Sequence, residues 1–279
     1  MKVVLPSNVS EKLSSKLWNI RRRYHTADPL WHILLGASCI TITFIGLGLA
    51  TGSSLRLLRW LGGGVCAQIL SHTFAPGGHF LPLCSRDTGI YLGIFLSTAW
   101  LAAKGQGTAA RTPHLGRTLV LLLPFVALGV DGFNALFNDL QLPHLYAPTN
   151  TLRLIMGLAA GSALLLLVSP VYATTLSAYD IQRAQRISRQ SAFIFFALLA
   201  IATGGILSNA SILAIPIAFI SMSGLFTILV MLNRIFLHGS AGLIHRGMPV
   251  PFLSRFPLLA LVSIAELGVL SLIHALVIA

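Results

Sequence analysis

Long apolar runs, separated by short segments that hold nearly all the charge, dominate the pattern of this 279-residue chain. A helix needs about 20 predominantly apolar residues to cross the hydrocarbon core of a bilayer. The runs predict seven spans: Leu30–Thr51, Thr88–Ala103 (or from Leu81), Thr118–Phe137, Leu152–Leu176, Ser191–Leu207, Ile212–Leu237 and Pro257–Ala279. Leu57–Leu70 is also apolar, but it is too short and glycine-rich to cross, and it reads as a re-entrant or interfacial half-helix. The fold class is therefore all-α: a polytopic helical membrane protein with about seven transmembrane helices plus one short helix. Pro216 is expected to kink the sixth span. Gly157 and Gly161, spaced as G-x-x-x-G, read as a close helix contact.

Composition agrees with this reading. Hydrophobic residues make up 55% of the chain and charged residues 9%, too little polar surface to cover a soluble domain of this size. Nineteen Lys and Arg against seven Asp and Glu could suggest a nucleic-acid partner, but their placement argues otherwise. The N-terminal arm and the 104–117, 180–189 and 234–255 segments hold fifteen of the nineteen. The opposite loops hold only Arg56, Arg59, Arg86 and Arg153. Basic residues accumulate on the cytoplasmic side, so the N-terminus is expected inside and the C-terminus outside, in the cell's inner (plasma) membrane. If Leu57–Leu70 crossed, everything after it would invert. The expected partner is the lipid bilayer and not nucleic acid, with a membrane-protein partner or a second copy left open. Met1–Asp28 has no early apolar core and reads as a basic cytoplasmic arm rather than a cleaved signal. Its Ser10–Arg23 stretch could lie on the membrane as an amphipathic helix or be a solvated tail. The resulting organisation is an arm over 1–29, a membrane domain over 30–178 and a three-helix segment over 190–279.

Candidate chemistry concentrates in Ser71–Gly89, a polar insertion at the mouth of the second span. His72, His79, Cys84 and Asp87 could supply two imidazoles, a thiolate and a carboxylate, a mixed set suited to zinc or another first-row transition metal. The alternative is ordinary hydrogen bonding of these groups at headgroup level. Among the cysteines, Cys39 reads as a packing residue and only Cys84 has polar company. Arg86, Asp131, Asn134, Asn150 and Arg153 should form a polar pocket at the same level, since Asp131, Asn134 and Asn138 share one helical face. A carboxylate at membrane depth needs a partner. Arg153 is the nearest candidate for Asp131 and Arg86 the alternative; the pair could also serve only to lock spans three and four.

The run Gly78-His79-Phe80-Leu81-Pro82-Leu83-Cys84-Ser85-Arg86-Asp87-Thr88-Gly89-Ile90-Tyr91-Leu92-Gly93 resembles the signature of an uncharacterised prokaryotic family of multi-pass membrane proteins, a domain of unknown function. That family shows a Cys-His-Gln element, a Gly-His-Gln-Leu-Pro stretch, then Cys-x-Arg-Cys-x-Gly-x-Tyr-x-Gly. The similarity extends through Pro124, Asp131, Gly132, Thr149, Asn150, Arg153 and Gly157, covering about residues 66–161. With the first element set at His72, Ser71 and Asp87 stand where the family has cysteines, so the thiophilic site that the resemblance implies is harder or weaker here. The resemblance implies fold and topology, and no activity.

In the last span, Glu266 shares a face with Ser263 and His274. It is a candidate for proton or cation handling, or a neutral acid bonded to a neighbouring helix. Three functions stay open on these residues: a membrane protein with an outer polar pocket that holds a metal, a transporter or channel using intramembrane acids, and a non-catalytic accessory subunit. No P-loop, dinucleotide fingerprint or hydrolase triad order occurs.

Overall fold

A computed structural model describes residues 28–51, 55–176, 180–244 and 256–278. The basic arm and its possible amphipathic helix lie outside the described residues. The described elements are α1 (Pro29–Ala50), α2 (Arg56–Gly62), α3 (Ser85–Ala103), β1 (Ala109–Arg111), α4 (Leu115–Asp139), α5 (Asn150–Thr174), β2 (Asp180–Ala184), α6 (Arg189–Leu207), α7 (Ala214–Ile244) and α8 (Phe256–Ile278). Each expected span is matched by a helix whose ends differ by a few residues. Six of them, all except α3, are both long and apolar enough to cross a membrane.

α3 carries Arg86 and Asp87 in its first turn and buries Ser97 and Thr98. It tolerates this polarity because protein surrounds it: α3 packs on α1, α5 and α7. α5 and α7 are buried over more than half of their spans, whereas α4 and α6 stand at the periphery. Their exposed Leu119, Val126, Phe133, Phe193 and Ile201 form surfaces that suit lipid.

The α3–α5 contact is built on paired glycines. A methyl group on Gly89 or Gly93 would sit 2.4 Å from Leu154 O or 2.5 Å from Leu158 O. On Gly157 or Gly161 it would sit 2.2 Å from Arg86 O or 1.9 Å from Ile90 O. G-x-x-x-G therefore occurs on both helices, and the backbones meet where no larger residue fits. Two apolar clusters complete the core. One is centred on Leu58, Leu81, Leu154, Met222 and Phe226, the other on Leu30, Ile94, Trp100, Tyr172 and Met231.

α2 has seven residues, about 10 Å of helix. It cannot cross, so the alternation of loops is not inverted at this point. Pro216 lies in the first turn of α7, where a missing N–H breaks no helical bond. The kink expected of this proline thus has no cause there.

The loops gather at two ends. At one, β1 and β2 form a two-stranded parallel ribbon that the apolar pattern did not anticipate. Loop amides near a bilayer need partners, and pairing two loops supplies them. Asp28 accepts from Gly107 N at 2.7 Å, and Gln106 exchanges bonds with the Arg186 backbone at this same end. At the other end, the 63–84 segment lies over the α4–α5 and α6–α7 connections. Asn150 Nδ2 donates to Ser71 O at 3.0 Å and Gly77 N to Asn209 O at 3.1 Å. Gly77 has φ +58, and a Cβ there would strike Ser211.

Candidate functional site

After α2 the chain turns through Gly63–Val65, and Cys66 N bonds back to Gly62 O at 3.0 Å. Gln68, in the left-handed region at φ 52, donates from Nε2 to Arg59 O (2.5 Å) and Pro82 O (2.6 Å). One amide thus ties the end of α2 to the strand of chain that enters α3. This brings Cys66, buried, beside Cys84 at the N-cap of α3 and Asp87 in its first turn.

The Cys66 and Cys84 sulfurs and an Asp87 carboxylate oxygen all lie within 4.8 Å of one another. Cys66 Sγ accepts from two backbone amides, Cys84 N at 3.2 Å and Gln68 N at 3.4 Å. The Cys84 thiol donates to Asp87 Oδ2 at 3.1 Å. The Cys66 thiol is held far above its ordinary range, first by its hydrogen bond with Cys84, then by burial and by the charge of Asp87. Anions this close together repel one another unless a cation joins them. The amide donors to Cys66 Sγ and the N-terminal dipole of α3 favour the thiolate forms once it does.

Of the four ligands expected from sequence, the structure brings Cys84 and Asp87 together. It adds Cys66, which sequence reasoning had passed over, and places the two histidines elsewhere. His72 Nε2 lies 3.5 Å from Asp139 Oδ1, and His79 is exposed with its backbone N bonded to Pro76 O. Among the described residues, Cys66, Cys84 and Asp87 form the only His/Cys/Asp/Glu group with such spacing. The resemblance contained a signal for Cys66: Cys66-Ala67-Gln68 keeps the Cys and Gln of the family's Cys-His-Gln element, whereas Ser71-His72-Thr73 keeps only the His.

The polar pocket assembles at the same end. Asp131, fully buried, pairs with Arg86 (Nη2 to Oδ2, 2.8 Å) rather than with Arg153. Its other oxygen accepts from the Tyr146 hydroxyl at 2.9 Å. The glycine contact explains the choice of partner, since it brings the first turn of α3 against α5 and within reach of α4. Asn134 holds the α4–α5 connection through Tyr146 O and the Leu145 and Tyr146 amides. Asn150 Oδ1 accepts from Arg153 Nη1 at 3.1 Å. His72 is less basic than usual, through burial first and then through the charge of Arg153, with Asp139 opposing. Glu266 is distant from these groups in sequence and in its partners: Asn233 Nδ2 donates to Glu266 Oε2 at 2.8 Å and to Ser263 Oγ at 3.0 Å.

Residues 66–167 match a family described as predicted membrane protein (DUF2085), and the match opens at Cys66. An uncharacterised protein of Methanothermobacter thermautotrophicus is 34% identical over 103 residues, which is 37% of this chain and 83% of that protein. No solved structure matches significantly.

Proposed function

The chain belongs to the DUF2085 family of predicted membrane proteins, and we propose that it is a plasma-membrane protein whose outer loops bind a thiophilic divalent metal through Cys66, Cys84 and Asp87. The observation that carries this reading is the convergence of two sulfurs and a carboxylate within 4.8 Å, with two backbone amides already directed at the buried sulfur. Two thiolates and a carboxylate suit zinc, or another first-row metal that accepts sulfur. Three protein ligands leave a fourth position of a tetrahedral ion for water or substrate, the arrangement of reactive rather than purely structural sites. Charge supports an orientation with the metal site outside: the ribbon end carries Lys104, Arg111, Arg117, Arg183, Arg186 and Arg189, and basic loops favour the cytoplasmic side. In this organisation the family-like core of about 66–161 carries the site, and the helices after residue 190 brace it.

Elemental analysis of detergent-purified protein tests the reading. Wild type is expected to hold close to one metal ion per chain, and Cys66→Ser/Cys84→Ser close to none at equal folding. Equal metal in both, or none in wild type after growth and purification with added zinc, contradicts it.

A further inference from the structure

The mouth between α3 and α5 holds a cation that makes no ion pair among the described residues. Arg153, in the first turns of α5, is only 5% exposed. A guanidinium has five N–H donors. Among the described residues Arg153 uses one, and it goes to the neutral amide oxygen of Asn150. The ion pairs among those residues are His72–Asp139 and Arg86–Asp131, so no carboxylate of a described residue lies within 4.0 Å of Arg153. Leaving a buried charge unpaired is costly, and the usual remedies are a partner or a ligand.

The unused donors are not sealed off. No nitrogen of Arg153 is among the fully enclosed polar atoms that lack a partner. The donors left over therefore keep some contact with solvent. Arg86 adds to the same mouth: Asp131 occupies its Nη2, while its Nε is buried with no partner. The three acids at this end are already engaged, Asp87 by the Cys84 thiol. Asp131 accepts from Arg86 and Tyr146, and Asp139 lies against His72 and Asn138. Both α3 and α5 begin at this mouth, so two positive helix ends add to the two guanidinium groups.

We propose that Arg153 and Arg86 form an oxyanion site that takes a phosphate group, either free or in a lipid headgroup of the outer leaflet. The forked, permanently charged guanidinium matches a tetrahedral oxyanion by two parallel hydrogen bonds, which a lysine does not reproduce. Asp131 acts as a positioning residue: it fixes the Arg86 guanidinium by holding Nη2. The site does not depend on a metal at Cys66 and Cys84, so either assignment can fail without the other.

The test uses full-length protein in detergent, wild type beside Arg153→Gln and Arg153→Lys, with thermal unfolding as the check on folding. One arm measures equilibrium binding of radiolabelled orthophosphate. The other measures, by native mass spectrometry, retention of dioleoylphosphatidylglycerol against dioleoylglycerol, which lacks the phosphate. Binding in the first arm assigns a free phosphate; phosphate-dependent retention in the second alone assigns a headgroup. In either case Arg153→Gln should weaken binding at least about tenfold, and Arg153→Lys by a smaller factor. The proposal is overturned if wild type binds neither probe, or if Arg153→Gln binds as wild type does. Should the Gln variant not fold, an unchanged affinity in Arg153→Lys overturns the assignment of forked donors.

Discussion

Asp131 is the residue on which the polar mouth depends. Its carboxylate is fully buried, and both oxygens are used, by Arg86 and by the Tyr146 hydroxyl. Removing one member of such a pair leaves the other partly buried and unpaired. For fully buried pairs the cost is about 3–5 kcal/mol; Arg86 keeps 27% side-chain exposure, so Asp131→Ala belongs at or below the lower end of that range. Tyr146→Phe removes a single hydrogen bond and should cost about 0.5–1.5 kcal/mol. Thermal unfolding in detergent ranks the two, and equal midpoints for Asp131→Ala and wild type would refute the pairing. His72 sets a pH dependence at the same mouth. Its folded pKa lies below the ordinary value of 6.5, through burial and then through Arg153. The unfolded chain therefore binds more protons than the folded one in the window just below 6.5. The His72 contribution to stability is fully present above that value and is lost as pH falls toward the folded pKa. His72→Gln should flatten this part of the stability profile, and an unchanged slope between pH 7 and pH 5 would contradict it.

At the scale of elements, the α3–α5 contact fixes where every polar group of the site arrives. Gly157→Ala places a methyl 2.2 Å from the Arg86 carbonyl oxygen, so the helices must separate. Overpacking of this kind costs about 1–3 kcal/mol and displaces Arg86 and Asp87 with the helix. Gly129→Ala on α4 meets nothing within 4 Å and serves as the matched control, expected to be neutral or slightly stabilising. A Gly157→Ala protein with wild-type thermal stability would rule out the close backbone contact. This contact also explains what the sequence could and could not reveal. The G-x-x-x-G of α5 was readable as packing, but its partner was not, and so order along the chain favoured Arg153 for Asp131. Packing α3 onto α5 brought Arg86 there instead. Cys66 was missed for a related reason. It follows an apolar stretch and looks like a packing thiol until the turn after α2 folds it back beside Cys84, nearly twenty residues further on.

For the whole molecule, the spans were legible because the bilayer imposes one length on every crossing helix. The loop amides pair by tertiary proximity, which leaves no periodic trace, so the ribbon of β1 and β2 was not legible. The resulting bundle separates a basic end, built on the ribbon, from an end where two sulfurs, two guanidinium groups and three carboxylates converge. Glu266 stands apart from both, bonded to Asn233. If it only fixes α8 to α7, Glu266→Gln should keep the Asn233 contact, change thermal stability little and leave metal content unchanged. A transport role predicts instead that this substitution abolishes ion or proton flux in reconstituted vesicles. X-ray absorption at the zinc edge of the zinc-loaded protein reads the ligands of the thiophilic site itself. Two sulfur ligands are expected at about 2.3 Å, with the remaining positions filled by oxygen or nitrogen at about 2.0–2.2 Å. A first shell without sulfur would contradict it.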